Sequence, residues 1–191
     1  KYTASTGRID IVGADKNTTV VTGANLAGIF GAAISAGEYV IRNLTLSLTL
    51  SVPVTGSRSI VQTVEGATIL AINIKFVLIE QSVASSGFMA VYALGGTVSL
   101  REDCEIVLNN AVTPSGIRVL TASNYGAIQL RNDLTVTGTQ FSRFCMFSSG
   151  GSFTRVSQNS PVITAPTMIG TKYDGNFNGI CNVTGQGENF F

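Results

Sequence analysis

The chain has 191 residues, with 12 Lys and Arg against 11 Asp and Glu, no His, and 45% apolar residues. Its net charge of +1 leaves no basic footprint for nucleic acid, and its best apolar stretch, 60–79, is broken by Glu65 and Lys75 and falls short of a membrane span. Charged residues make up 12%, where a soluble domain carries about 25%, so burial of surface between subunits is expected.

The first element opens at Gly7 with GRIDIV, and similar runs open at Gly37 (GEYVIRNLTLSLTL), Gly66 (GATILAINIKFVL), Gly96 (GTVSLREDCEIVL), Gly126 (GAIQLRNDLTV) and Gly151 (GSFTRV). The anchors lie 30, 29, 30, 30 and 25 residues apart, a period that marks stacked units. Residues two and four after each glycine pair as Ile9/Ile11, Tyr39/Ile41, Thr68/Leu70, Val98/Leu100 and Ile128/Leu130. Alternation puts each pair on one face of a strand, facing the interior. By the same count Val40 and Ile69 point outward.

The spacing of 29 is informative. Arg101-Glu102-Asp103 precedes Cys104, Ile106 and Leu108, whereas Arg42-Asn43 precedes Leu44, Leu46 and Leu48. The alternation resumes in phase after the missing residue, so the deletion lies in a bend with a strand on either side. A third strand follows in each unit: SIVQTV from Ser59, FMAVYAL from Phe88, IRVLTAS from Ile117 and RFCMFSS from Arg143. Three short strands per unit of about 30 residues, with no amphipathic helix between them, predict an all-β fold. The expected architecture is a single-stranded right-handed parallel β-helix of about six coils, in which each strand pairs with its counterpart one coil away. Coils are expected over 1–170, and a terminal coil or cap over 171–191 leading into a further C-terminal part.

The first bend gathers the polar residues. Asn43, Asn73, Asp103 and Asp133 are expected to stack as a column, which amide side chains stabilise by bonding between layers. Asp103 over Asp133 brings two carboxylates about 5 Å apart, the separation of a retaining glycosidase pair. Arg101 and Arg131 stand two residues earlier and are expected to keep both aspartates ionised, which favours a structural bend over a catalytic pair. Arg101, Arg131 and Tyr125 are the candidate ligand-binding residues, with Asp103 and Asp133 the only catalytic candidates.

Other chemistry is sparse. The absence of His removes the common nucleophile triads and His-ligated metal sites. Cys104, Cys145 and Cys181 are widely spaced and odd in number, which fits buried thiols better than a disulfide framework or zinc site. GANLAG from Gly23 lacks the spacing and the Lys-Ser/Thr of a phosphate loop. No metal or cofactor is expected.

The repeat gives way to TKYDGNFNGICNVTGQGENFF from Thr171. Through Tyr173, Asn178, Ile180, Gly185, Gly187, Asn189, Phe190 and Phe191 this segment resembles one that follows the last coils of bacteriophage tailspike and tail-fibre proteins of the pectate-lyase-like β-helix type. The match covers about 20 residues. The resemblance implies a homotrimer in the virion tail, joined to other tail proteins and contacting host lipopolysaccharide or capsular polysaccharide. Many such proteins also cleave the polysaccharide with Asp/Glu pairs. This chain departs from those: its coils are even, without long loops to wall a groove, and it has no Trp. A tail-fibre or tailspike rod that binds host glycans is therefore the leading expectation. A polysaccharide-degrading glycosidase or lyase and a cell-surface β-solenoid adhesin are the alternatives.

Overall fold

A computed structural model describes residues 7–26, 28–32, 37–53, 55–64, 66–82, 87–111, 115–138, 140–155, 163–164, 169–175 and 180–182. Among them the chain is all strand, bend and corner, with no helix. Three series of strands recur. The first is β1 (Arg8–Val12), the leading halves of β4 (Glu38–Leu50) and β6 (Thr68–Glu80), β8 (Thr97–Arg101), β11 (Ala127–Leu130), β14 (Ser152–Arg155) and β17 (Ile180–Asn182). The second is β2 (Val20–Ala24), the trailing halves of β4 and β6, β9 (Cys104–Asn110), β12 (Leu134–Gly138) and β15 (Ile163–Thr164). The third is β3 (Gly28–Ala32), β5 (Arg58–Val64), β7 (Phe88–Leu94), β10 (Ile117–Ser123), β13 (Gln140–Phe147) and β16 (Ile169–Gly175).

Each strand pairs in parallel with its counterpart one turn away, as in Val98 to Ile128 and Val91 to Leu120. The first two series share one 11-stranded sheet, and the third forms a separate six-stranded sheet. The chain is a parallel β-solenoid of about four turns.

The interior is filled by columns of inward side chains. Tyr39, Ile69, Val98, Ile128 and Phe153 stack in register, as do Ile41, Ala71, Leu100 and Leu130. The second series adds Leu46, Phe76, Ile106 and Val136. Large and small residues alternate around a turn: Phe76 and Phe88 share one with Ala71, Ala90 and Ala93, all buried. Such alternation lets successive layers interlock without voids. Phe147 and Phe153 stack with ring centroids 6.1 Å apart.

Several expectations need correction. Units with three separate strands hold for later turns, but β4 and β6 run unbroken for 13 residues. A single residue with positive φ, Asn43 (57°) or Asn73 (53°), bends each strand without ending it. Asn tolerates this left-handed conformation better than most residues. In the third unit the anchor is Ala67, not Gly66, because Thr68 pairs with both Glu38 and Thr97. Gly66 instead occupies the preceding corner at φ 80°. The inward pair there is Ile69 and Ala71, in place of Thr68 and Leu70, and Ile69 does not face outward. Val40 does alternate outward from Tyr39 and Ile41, yet it is fully buried. The arginines two residues on fold back over this outer row. Arg42 reaches Asp10 at 3.0 Å, Arg101 reaches the Ser99 hydroxyl at 3.3 Å, and Arg131 reaches Gln129 at 3.4 Å. Their aliphatic stems screen the row.

The repeating glycine has a steric cause. A Cβ on Gly126 would collide with the Ala93 carbonyl, and one on Gly151 with the Ala122 carbonyl. Both obstacles are backbone and cannot rotate away. Gly126→Ala is expected to destabilise by about 1–3 kcal/mol, read as a lower urea midpoint with unchanged slope. An unchanged midpoint would show that the corner is looser than this packing requires.

Candidate functional site

Three corners separate the three strand series, and the residues singled out from sequence fall on two of them. The first corner holds the Asx column. Asn73 Nδ2 donates to Asn43 Oδ1 at 3.0 Å, so the amide ladder is present between these two turns. In the next turn it is Glu102, at φ 55°, that takes the left-handed position, and Asp103 is the added residue. Asn132 Oδ1 accepts from the Glu102 backbone N–H at 2.9 Å and continues the column. Asp103 and Asp133 are both exposed and stand beside this ladder, not in it.

A loop of the first turn, residues 13–19, lies along the same corner. Lys16 Nζ donates to the Asp103 carbonyl at 2.9 Å and pairs with Glu105 at 2.7 Å, while Lys75 approaches Glu105 at 3.7 Å. Lys16 above all holds the Glu105 carboxyl below its ordinary range. The Thr45 hydroxyl donates to the Lys16 carbonyl. This strap therefore spans from β2 to β9 over the outer faces of β4 and β6.

Tyr125 belongs to another corner, between the third series and the first. It is 86% exposed at φ 62°, its N–H bonds to the Ser149 carbonyl at 3.0 Å, and its ring lies across Gly150. The structure thus brings Arg101, Arg131, Asp103 and Asp133 to one corner and Tyr125 to a different one. Cys104 and Cys145 are buried and outside any disulfide, and burial pushes the Cys104 thiol up to about 11. The tail-fibre-like motif beyond 182, and Asn178, lie outside the described residues.

Two groupings were not picked out from sequence. At the corner between the second and third series, inward positions run Leu50, Glu80, Asn110 in register. Glu80 is wholly buried. Its Oε1 accepts the Gly116 N–H at 2.8 Å, and its Oε2 accepts Ser115 Oγ at 2.7 Å and Asn110 Nδ2 at 3.1 Å. A cleft of about 390 Å³ opens beside it, lined by Gln81, Leu108, Asn109, Ala111 and Gly138 among others.

The other grouping is on the outer face of the six-stranded sheet. Arg118 pairs in register with Arg143, and with Met89 on the other side, in a row that also holds Gly28 and Ser59. The neighbouring row is Gln62, Tyr92, Thr121, Met146 and Asp174. Arg143 Nε bonds Asp174 at 2.6 Å and its Nη1 bonds Ser142 Oγ at 2.8 Å. The Tyr92 hydroxyl lies 3.2 Å from Ser123 Oγ. Partial burial holds Arg118 below its ordinary value, with Arg143 adding to the shift and Asp174 and Tyr92 opposing it. In these two rows Ser59, Met89 and Thr121 are buried, and Gln62, Tyr92, Arg118, Arg143, Met146 and Asp174 are half-buried.

Among the described residues no group of three or more His, Cys, Asp or Glu is placed to hold a metal ion, and no helix is long and apolar enough to cross a membrane. Compared with protein-family models, curated proteins and solved structures, the chain matches none.

Proposed function

We propose that the chain is a section of a tailed-virus fibre or tailspike, a β-solenoid rod assembled from three chains that contacts host-surface polysaccharide. The observation that carries glycan contact is the outer face of the six-stranded sheet, where Arg118 and Arg143 pair in register beside the row that holds Gln62 and Tyr92. Shallow sugar contacts need only a few fixed polar groups beside an aromatic ring. The tail-fibre-like C-terminal segment and the low charge support the virion and trimer parts of the reading. Closed cyclic symmetry would bury the same poorly charged surface on every chain. We read Asp103 and Asp133 as structural residues of the first corner, since both lie on the convex outside of the rod.

Light scattering on the purified chain is expected to return about three times the 20.0 kDa chain mass. An array of bacterial surface polysaccharides should retain the chain without being degraded by it. A monomer retained by no polysaccharide would overturn the reading. Polymer shortening that is lost in an Asp103→Asn, Asp133→Asn double variant would replace it with the depolymerase alternative.

A further inference from the structure

We propose that the outer face of the six-stranded sheet is a site for acidic polysaccharide, with Arg118 receiving a carboxylate or phosphate oxyanion beside Tyr92. The inference rests on the glycan-contact reading and adds to it a charge class and a location.

The charges on this face do not balance. Arg118 and Arg143 stand directly opposite each other on neighbouring strands, where like charges repel. The one acid in the adjoining row, Asp174, closes on Arg143 at 2.6 Å. Ser142 takes a second Arg143 donor. Among the described residues Arg118 forms no ion pair or hydrogen bond through its guanidinium. Its five donors are set in a rigid fork that suits a carboxylate or phosphate.

Packing gives no reason for a charge at this position. The equivalent residues in earlier turns are Ser59 and Met89, both buried and neutral. A half-buried guanidinium without a counter-ion costs solvation that a Met or Ser would not. A Cβ on Gly87 would sit 3.0 Å from Arg118 Cδ and Nε and 3.1 Å from Cζ, so the side chain lies along the bare backbone of Gly87. A half-buried cation beside Tyr92, with no ion pair among the described residues, is completed by an anionic group on an extended chain of sugars.

The test uses the full chain, immobilised, with three soluble polymers: polygalacturonate for carboxylate, poly(glycerol phosphate) for phosphate, and dextran as the neutral control. At least one acidic polymer should bind, more tightly than dextran, and which of the two binds identifies the oxyanion. Arg118→Gln should weaken that binding about tenfold, equivalent to about 1.4 kcal/mol. Arg118→Lys keeps the charge but loses the fork, and should fall between. Arg8→Gln removes an exposed arginine from the other sheet and should bind as the parent does. Raising salt from about 50 to about 200 mM should weaken binding to the parent, a measurement that stands even where Arg118→Gln fails to fold. Equal binding of dextran and the acidic polymers, or parental binding by both Arg118 variants, would overturn the site while leaving glycan contact in place. So would loss of assembly mass in Arg118→Gln with polymer binding unchanged, which would mark the face as a contact between chains. A parent that binds none of the three polymers overturns this site, and the polysaccharide array then decides whether the glycan reading falls with it.

Discussion

Leu130→Asp is expected to destabilise the solenoid by about 4 kcal/mol or more, enough to unfold a marginal domain at room temperature. Leu130 is fully buried and stacks on Leu100 in the inward column. Removing the leucine side chain forfeits about 1.5–3 kcal/mol of burial. Aspartate then adds a carboxyl to a wall of Leu100, Ile128 and Leu134, where it must either shed its charge or draw in water. Leu130→Ile keeps the volume and should cost under about 1.5 kcal/mol. Urea unfolding followed by circular dichroism separates the two. An Asp variant whose midpoint matches that of the Ile variant would mean the column faces solvent.

The second large effect is expected at Glu80. Glu80→Ala should cost about 2–4 kcal/mol, because three donors lose their shared acceptor at once in a largely buried corner. The Gly116 N–H, Ser115 and Asn110 all bond to the same carboxylate. Ser115 Oγ also accepts the Ile117 N–H at 3.1 Å, so the damage should extend to the start of β10. Glu80→Gln preserves size but turns one acceptor into a donor facing donors, and should cost about 2 kcal/mol. Amide exchange at Gly116 and Ile117 is the local readout. If protection there were unchanged in Glu80→Ala, the carboxylate would not be what holds the corner.

The repeat was legible in sequence because backbone crowding at Gly126 and Gly151 admits nothing larger than hydrogen, and because one turn's inward residues must match the next. It slipped at Gly66 for a physical reason. That glycine serves a corner at positive φ, and Ala67 is small enough for the anchor one residue later, so composition pointed to the wrong neighbour. The bends at Asn43 and Asn73 read as strand ends because a single left-handed residue turns a chain without breaking its ladder. Glu80 was hidden by its own pattern: it follows Ile74, Phe76 and Leu78 at strict alternation, where an apolar residue is the ordinary occupant, and its partners lie 30 or more residues away. Arg118 and Arg143 carry a signal that aligning the third strands would have exposed, but their separation of 25 departs from the main period. The column of Asn43 and Asn73 is legible in sequence, whereas Glu102 and Asn132 continue it in place of Asp103 and Asp133 because the added residue shifts the count by one.

The strap carrying Lys16 changes how the rod can come apart. In a simple solenoid each layer touches only its neighbours, so an end layer can peel away alone and stability grows by increments. Here a lysine from the first layer grips Glu105 and the Asp103 carbonyl three layers along, with Thr45 and Lys75 between. Peeling the end therefore has to break a tie anchored deep in the stack. The four layers under the strap are coupled into one cooperative block, and fraying is directed to the opposite end of the rod.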